Sequence, residues 1–167
     1  MNKELQTFKF ALRDDILDTE DLFLPMRSEP FATGYDVRAC QKDRKDIILR
    51  AGQYFKIPLG FRSICPPNWY YQLHPRSSSF VKKSMHSLIG IVDFGWELET
   101  SFVGQYIPDI GSLGKDIIIT FGDRIGQIIP TRREDINVET ISNKEFERIC
   151  KERNAGRGGG FGSSGDK

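Results

Sequence analysis

The stretch Leu88-Ile-Gly-Ile-Val-Asp-Phe-Gly-Trp-Glu-Leu-Glu99 combines the features around which the fold is organised, a buried strand and a turn that carries a carboxylate. The β-branched run that ends at Val92 is typical of a buried strand. Asp93 ends this run, Gly95 permits a sharp turn, and the alternation over Trp96–Glu99 predicts a return strand. The stretch therefore predicts a β-hairpin with a carboxylate near its tip. From this segment alone, the favoured interpretation is that Asp93 only makes the turn, because an aspartate hydrogen-bonds its own backbone there.

Short strand patterns separated by glycine and proline turns extend outward on both sides of this stretch. Close spacing of such patterns predicts an all-β sandwich or barrel. The predicted strands lie within Thr7–Leu12, Ala32–Ala39, Ile47–Leu49, Gln53–Pro58, Phe61–Cys65, Trp69–His74, Asp116–Phe121, Ile125–Pro130 and Ile136–Ile141. The segment Val103–Lys115 is longer than a hairpin connection needs, and we interpret it as a loop.

One helix is predicted near the C-terminus. Ser142 followed three residues later by Glu145 forms a capping box, and apolar residues recur at helical spacing behind it. We expect a short helix over about 143–152, packed on the β core. The composition then changes abruptly at Gly156, and residues 156–167 read as a flexible, glycine-rich tail that follows a β domain of residues 1–155.

Composition excludes several classes of protein. The chain has 167 residues and a formal net charge of +1, so it has room for one core and no overall attraction to nucleic acid or membranes. Its three cysteines are far apart and it has two histidines, which argues against a disulfide framework or a zinc site. The sequence shows neither a signal peptide nor an apolar run long enough to span a membrane. We therefore expect a soluble, cytoplasmic protein.

Three polar clusters interrupt the strand pattern, and each contains an arginine. They are Pro75-Arg-Ser-Ser-Ser79, Gly122-Asp-Arg-Ile-Gly-Gln127 and the glycine-rich tail. The guanidinium fork fits phosphate oxygens, and glycine lets backbone N–H groups approach an anion closely. Together the clusters are typical of a polyphosphate site, whereas each of them alone would be an ordinary solvated turn.

The clusters, in this order, resemble the five motifs of the deoxyuridine triphosphatases (dUTPases). The corresponding segments are Ala32-Thr-Gly-Tyr-Asp-Val37, Pro75-Arg-Ser-Ser-Ser79, Gly90-Ile-Val-Asp-Phe-Gly-Trp-Glu-Leu-Glu99, Gly122-Asp-Arg-Ile-Gly-Gln127 and Arg157-Gly-Gly-Gly-Phe-Gly-Ser-Ser-Gly165. The similarity spans nearly the whole chain. It implies a jelly-roll-like β fold, a homotrimer with active sites shared between subunits, and Mg²⁺-assisted hydrolysis of dUTP to dUMP and pyrophosphate.

The resemblance also implies roles for individual residues. Asp93 would orient and deprotonate the attacking water, Asp36 would be a supporting acid with indirect contact to Mg²⁺, and Ser77 would lie near the leaving oxygen. The residues expected to bind substrate are Arg76, Ser77, Ser78, Gly90, Val92, Asp93, Trp96, Gln127, Arg157, Phe161, Gly162 and Ser163. Asp123 would be a second supporting acid. Most of the magnesium coordination is expected to come from the substrate phosphates.

The chain departs from the family pattern at several positions. Tyr is usual at Trp96, Gly at Leu98 and Asn at Ser87, and Arg-Ser-Gly is frequent where Arg-Ser-Ser stands here. These departures affect recognition of the sugar and base.

Two other functions stay open at this point. The related dCTP deaminases share the Arg-Ser-Ser and Asp-x-Gly-Trp features, and a bifunctional deaminase would too. The second arginine and the catalytic glutamate of the deaminase pattern fall on Val81 and Val103, which argues against deamination. A non-catalytic nucleotide-binding module on this fold would be expected to lose Asp93 or Arg157, and both are kept.

Overall fold

The computed structural model describes residues 5–112 and 114–153. The chain divides into two compact units, Met1–Glu134 and Asp135–Lys167. The strands of the first unit are β1 (Lys9–Leu12), β2 (Tyr35–Arg38), β3 (Ile47–Leu49), β4 (Tyr54–Pro58), β5 (Phe61–Ile64), β6 (Trp69–Pro75), β7 (Met85–Ser87), β8 (Gly90–Val92), β9 (Ser101–Tyr106), β10 (Ile117–Ile119) and β11 (Arg124–Arg132). Two short helices accompany them, α1 (Glu20–Phe23) and α2 (Ser77–Val81).

All pairings between these strands are antiparallel. The largest sheet has the order β2-β11-β6-β8, and a three-stranded sheet has the order β4-β9-β7. Two-stranded sheets form from β1 with β5 and from β3 with β10. The predicted all-β architecture is therefore confirmed, and the order of the strands along the chain differs from their order in the sheets, as expected for a jelly-roll-like fold.

The core follows from the alternation of side chains along the strands. In β4, Phe55 and Ile57 are buried while Tyr54 and Lys56 are exposed, and in β6 Tyr71 and Leu73 are buried between half-buried neighbours. A buried hydroxyl network crosses this core, because the Tyr71 hydroxyl lies 2.9 Å from Ser63 Oγ and 3.0 Å from Thr100 Oγ1. Burial raises the pKa of Tyr71, so the phenol stays neutral and able to donate.

The predicted hairpin at Asp93 is wrong in its second half. Trp96–Glu99 is not a strand, and the chain next enters β9, which pairs with β4 and β7 in another sheet. Strand β8 pairs instead with β6, and the predicted burial of this strand holds only at Val92, because Ile91 is 63% exposed. The turn itself is present, since the Trp96 N–H donates to the Asp93 carbonyl at 3.1 Å. The loop predicted over Val103–Lys115 is also wrong at its start, because β9 extends to Tyr106.

The described part of the second unit, residues 135–153, contains one helix, α3 (Asn143–Arg153), where the capping box predicted it. The Glu145 N–H donates to Ser142 Oγ at 3.2 Å, which is the expected N-cap bond. None of the helix residues is buried and Phe146 is 60% exposed, so the expected packing on the β core stays a prediction. The strand predicted at Ile136–Ile141 is wrong, since these residues are irregular and exposed.

Candidate active site

A carboxylate held between two arginines lies on one edge of the four-stranded sheet. Asp36, on β2, forms an ion pair with each of them. Its Oδ1 lies 3.0 Å from Arg76 Nε, and its Oδ2 lies 3.3 Å from Arg124 Nη1. Its side chain is 11% exposed, whereas those of Arg76 and Arg124 are 26% and 43% exposed. The carboxylate therefore fixes two guanidinium groups that keep part of their surface available to an anion.

Gln127 lies directly beside this cluster. It pairs in register with Asp36, and its Nε2 donates to the Pro75 carbonyl at 3.2 Å. A Cβ at Gly34 would come within 2.1 Å of Gln127 Oε1, so only glycine leaves room for this amide. Gly34 and Gln127 belong to different predicted motifs, and the structure places them in contact.

Helix α2 begins at the same cluster. Arg76 is its N-cap residue, Ser77 is exposed and Ser78 half-buried, and Ser79 is buried with Oγ donating to the Ile125 carbonyl at 2.7 Å. The serine hydroxyl anchors a five-residue helix whose composition alone favours turns and caps. The predicted phosphate-binding residues Ser77 and Ser78 are thereby held next to Arg76.

The cluster carries an excess of positive charge. Arg38 donates from Nη1 to the Gly122 carbonyl at 2.7 Å, and its pKa is lowered by burial and then by the nearby Arg124 charge. Asp123 is paired with Lys83, Nζ to Oδ2, at 2.8 Å. Three arginines and one lysine thus surround two carboxylates, an arrangement that favours a bound polyanion.

The second predicted group of site residues surrounds the turn after β8. Val92 is buried, Gly90 is half-buried, and Asp93 is exposed at the end of the strand. Trp96 is 44% exposed, so it does not pack in the core. Burial raises the pKa of the neighbouring Cys65 thiol, and the Asp93 charge adds to that effect. The thiol beside Asp93 therefore stays protonated and is not a nucleophile.

One chain does not bring Asp93 and Arg76 together. In the antiparallel register Val92 lies opposite Tyr71, so Asp93 lies near the N-terminal end of β6, whereas Arg76 follows its C-terminal end. Six residues of strand separate the two ends by about 20 Å. Arg76 also points to Asp36 on β2, at the sheet edge opposite β8.

Glu99 is the carboxylate nearest in the sequence to the position of the deaminase glutamate, and it is already bound to other groups. Glu99 Oε1 accepts from Arg13 Nη1 at 3.0 Å and from the Gly60 N–H at 3.1 Å. Val103, where that pattern has its glutamate, lies on β9 opposite Lys56. Glu99 therefore joins three segments of the fold and is not a free acid.

Four predicted site residues, Arg157, Phe161, Gly162 and Ser163, lie outside the described residues, as does the whole predicted tail. Within residues 5–112 and 114–153, no group of three or more His, Cys, Asp or Glu residues could hold a metal ion. This part of the chain also has no helix that is long and apolar enough to cross a membrane.

Sequence reasoning missed two residues of the cluster, Arg38 and Lys83, and it gave no individual role to Arg124 and Ser79, although both lie in the quoted motifs. Arg38 lies two residues after Asp36, and Lys83 lies four residues beyond the second motif. The proximity of Arg124 to Asp123 in one motif was a usable signal. Lys83 gave none, because its partner is forty residues away in the sequence.

The comparisons with known proteins agree on one family. The sequence profile of the dUTPase family matches residues 20–165. A deoxyuridine 5'-triphosphate nucleotidohydrolase of Caulobacter vibrioides is 29% identical over 146 residues, covering 87% of each chain. One from Paramecium bursaria Chlorella virus 1 is 27% identical over 147 residues, covering 87% of this chain and 92% of the viral one.

Solved structures show the same fold. A dUTPase from phage phi11 of S. aureus, described with a structural Mg(II) ion, superposes with a TM-score of 0.66 at 14% identity, covering 82% of this chain and 97% of its own. The dUTPase from Streptococcus mutans gives 0.64 at 21% identity, covering 77% and 98%. With the profile matching most of its length and the predicted motifs lying in order within that match, the chain belongs to the dUTPase family.

Proposed function

We propose that this protein hydrolyses dUTP to dUMP and pyrophosphate, as a dUTP diphosphatase in the cytoplasm. The observation that carries the proposal is the cluster in which Asp36 fixes Arg76 and Arg124 beside Gln127 and the N-terminus of α2. Such a cluster is complementary to a triphosphate, and it lies in the motifs that define the family. The reaction removes dUTP from the nucleotide pool and supplies dUMP.

The reaction needs a water molecule that attacks the α-phosphorus. Asp93 is exposed and directly follows Val92, the buried last residue of β8, so its backbone is anchored while its carboxylate is accessible to water. The Asp93 carboxylate accepts the proton of the water as the water oxygen bonds to the α-phosphorus. The bond between the α-phosphorus and the oxygen that bridges to the β-phosphate breaks, and pyrophosphate leaves. Arg76, Ser77 and Gln127 orient the phosphate chain and neutralise the charge that develops on the leaving group.

The residues of this site are compatible with Mg²⁺ that binds together with the substrate. Both Asp36 oxygens face arginines, so Asp36 suits contact with a metal-bound water better than direct ligation. Mg²⁺ commonly keeps several waters and binds through substrate phosphates. When bound, the ion would supply charge neutralisation at the phosphates. Asp36 would hold its water, while the arginines bind the remaining phosphate oxygens.

The active sites are shared between subunits in this proposal, most simply in a homotrimer. Asp93 and Arg76 must both reach one triphosphate, yet β6 holds them about 20 Å apart in a single chain. A neighbouring subunit would bring its Asp93 and Trp96 to the phosphate cluster of the first. The tail, with Arg157, Phe161, Gly162 and Ser163, would close over the bound nucleotide, and Gly90 and Val92 would present backbone groups to the uracil edge.

Deamination of dCTP is the alternative that this arrangement disfavours. Val81 and Val103 stand where the deaminase pattern needs an arginine and a glutamate, and Glu99 is bound to Arg13 and the Gly60 N–H. The proposal is tested by incubating the full chain with dUTP and dCTP separately and measuring pyrophosphate and ammonia. Pyrophosphate from dUTP is expected. Ammonia from dCTP would favour the deaminase, and binding without either product would favour a nucleotide-binding module.

A further inference from the structure

Helix α2 and the residues that flank it are connected at three points to Asp123, Arg124 and Ile125, the last residue before β11 and its first two residues. Ser79 Oγ, in the middle of the helix, donates to the Ile125 carbonyl. Arg76, at its N-cap, shares Asp36 with Arg124. Beyond its C-cap, Lys83 Nζ lies 2.8 Å from Asp123 Oδ2. A five-residue helix has little stability of its own, so these attachments fix its orientation.

The carboxylate that Lys83 binds also acts on Arg38, the same arginine on which Asp36 acts. Asp123 Oδ2 accepts from Lys83 and from the Thr120 N–H at 3.2 Å, within the turn that leads into β11. The pKa of Arg38 is lowered overall by burial and by the Arg124 charge. The Asp123 charge has a smaller effect in the opposite direction. Without the lysine, Asp123 would be an unneutralised carboxylate near Arg38 and next to Arg124 in the chain, where it would compete with Asp36 for these arginines.

We propose that Lys83 is a positioning residue of the phosphate site, an assignment that rests on the proposed dUTP hydrolysis. Its ammonium neutralises Asp123, holds the segment after α2 on the start of β11, and so keeps Arg124 on Asp36 and Arg76 in place. Lys83 acts through these groups, and it does not itself contact the substrate. Because both side chains of the pair are about one-third exposed, the pair adds little to folding stability, and its loss is expected to affect alignment.

The test compares Lys83→Met with Lys82→Met in the full-length protein. Lys82 is exposed, and its side chain makes no ion pair or hydrogen bond in the described part of the chain, so it is a matched control for the charge. Lys83→Met is expected to lower kcat by about tenfold or more through misalignment, with KM changed less than about threefold. Lys82→Met should stay within about twofold of wild type, and Lys83→Arg should restore most of the rate.

A double-mutant cycle separates positioning from direct substrate binding. Asp123→Asn should reproduce the effect of Lys83→Met, and the double variant should be no slower than either single one, since both changes break the same pair. Equal rates for Lys83→Met and Lys82→Met would overturn the proposal. A raised KM in Lys83→Met with normal Asp123→Asn kinetics would also overturn it, by showing direct contact with the nucleotide. If Lys83→Met fails to fold, Lys83→Gln carries the same comparison. A wild-type chain that releases no pyrophosphate would reject the proposed function itself.

Discussion

At the scale of single residues, the proposed mechanism depends most on Asp93. Asp93→Asn keeps the size and turn geometry of the side chain but removes the proton acceptor. We expect turnover to fall at least ~10²-fold, the usual scale for loss of a general base, while dUTP binding persists. Steady-state rates and equilibrium binding measure the two effects separately. Glu97→Gln is the matched control, because Glu97 is an exposed carboxylate on the same segment without an assigned role. A near-normal rate in Asp93→Asn would mean that another group activates the water.

Trp96 is the residue expected to discriminate against ribonucleotides. Its indole is 44% exposed and not in the core, so it is available to lie under the deoxyribose. An apolar wall rejects an added hydroxyl by about 10²-fold, and steric exclusion can add to this. Trp96→Ala should therefore raise kcat/KM for UTP relative to dUTP, with the fold retained.

Phe94→Ala is the control for that experiment, since Phe94 is 53% exposed on the same turn. If the ratio of the two kcat/KM values changes in Phe94→Ala and not in Trp96→Ala, Phe94 is the residue that meets the sugar.

At the scale of elements, the buried hydroxyl network is expected to stabilise the junction of β5, β6 and the residue before β9. Tyr71→Phe keeps the ring but leaves the hydroxyls of Ser63 and Thr100 without this partner. We expect the free energy of unfolding to fall by about 1–3 kcal/mol, with kcat unchanged. Denaturant titration measures the loss. Tyr70→Phe is the control, because Tyr70 is half-buried and its hydroxyl makes no hydrogen bond within the described residues. An equal loss in both variants would contradict a role for the network.

Local sequence pattern predicted most strands because alternation reports directly which residues face the core. It failed where pairing partners are distant or a residue type is misleading. Gly104 broke the pattern of β9, yet a Cβ there would come within 2.4 Å of the His86 carbonyl, so the close packing of β7 on β9 requires it. Ile136 and Val138 alternate like a strand but are 81% and 82% exposed, with no strand pairing in the described part of the second unit.

The predicted site residues were identified by motif, and their mutual arrangement was not predictable. The sequence order of Asp36, Arg76 and Asp93 does not show that β6 separates the last two. That separation follows from the register of β8 on β6, which is a long-range property of the sheet. The pairings of Lys83 with Asp123 and of Arg124 with Asp36 likewise join segments that are distant in the chain.

At the scale of the whole molecule, sharing of active sites predicts complementation between two inactive variants. Asp93→Asn and Arg76→Gln should each be nearly inactive alone. When they are co-expressed, a site that takes Asp93 from one chain and Arg76 from another can be intact. For random assembly in equal amounts we expect about a quarter of wild-type activity. Purified mixed oligomers assayed with dUTP provide the measurement. Activity no greater than the sum of the two separate variants would mean that each chain builds its own site.

The bonds made by Glu99 restrict how this chain could evolve. A carboxylate close to the turn after β8, such as Glu99, would be the simplest starting point for the catalytic glutamate of a deaminase. Recruiting Glu99 would leave Arg13, whose side chain is 15% exposed, without that partner and would free the Gly60 N–H. Gly60 has a φ of +78°, and a Cβ there would come within 2.5 Å of Cys40 Sγ, so this backbone cannot easily be rebuilt by substitution. A lineage that gained deamination from such an ancestor would need a new acid elsewhere, for example at Val103, before Glu99 could be released.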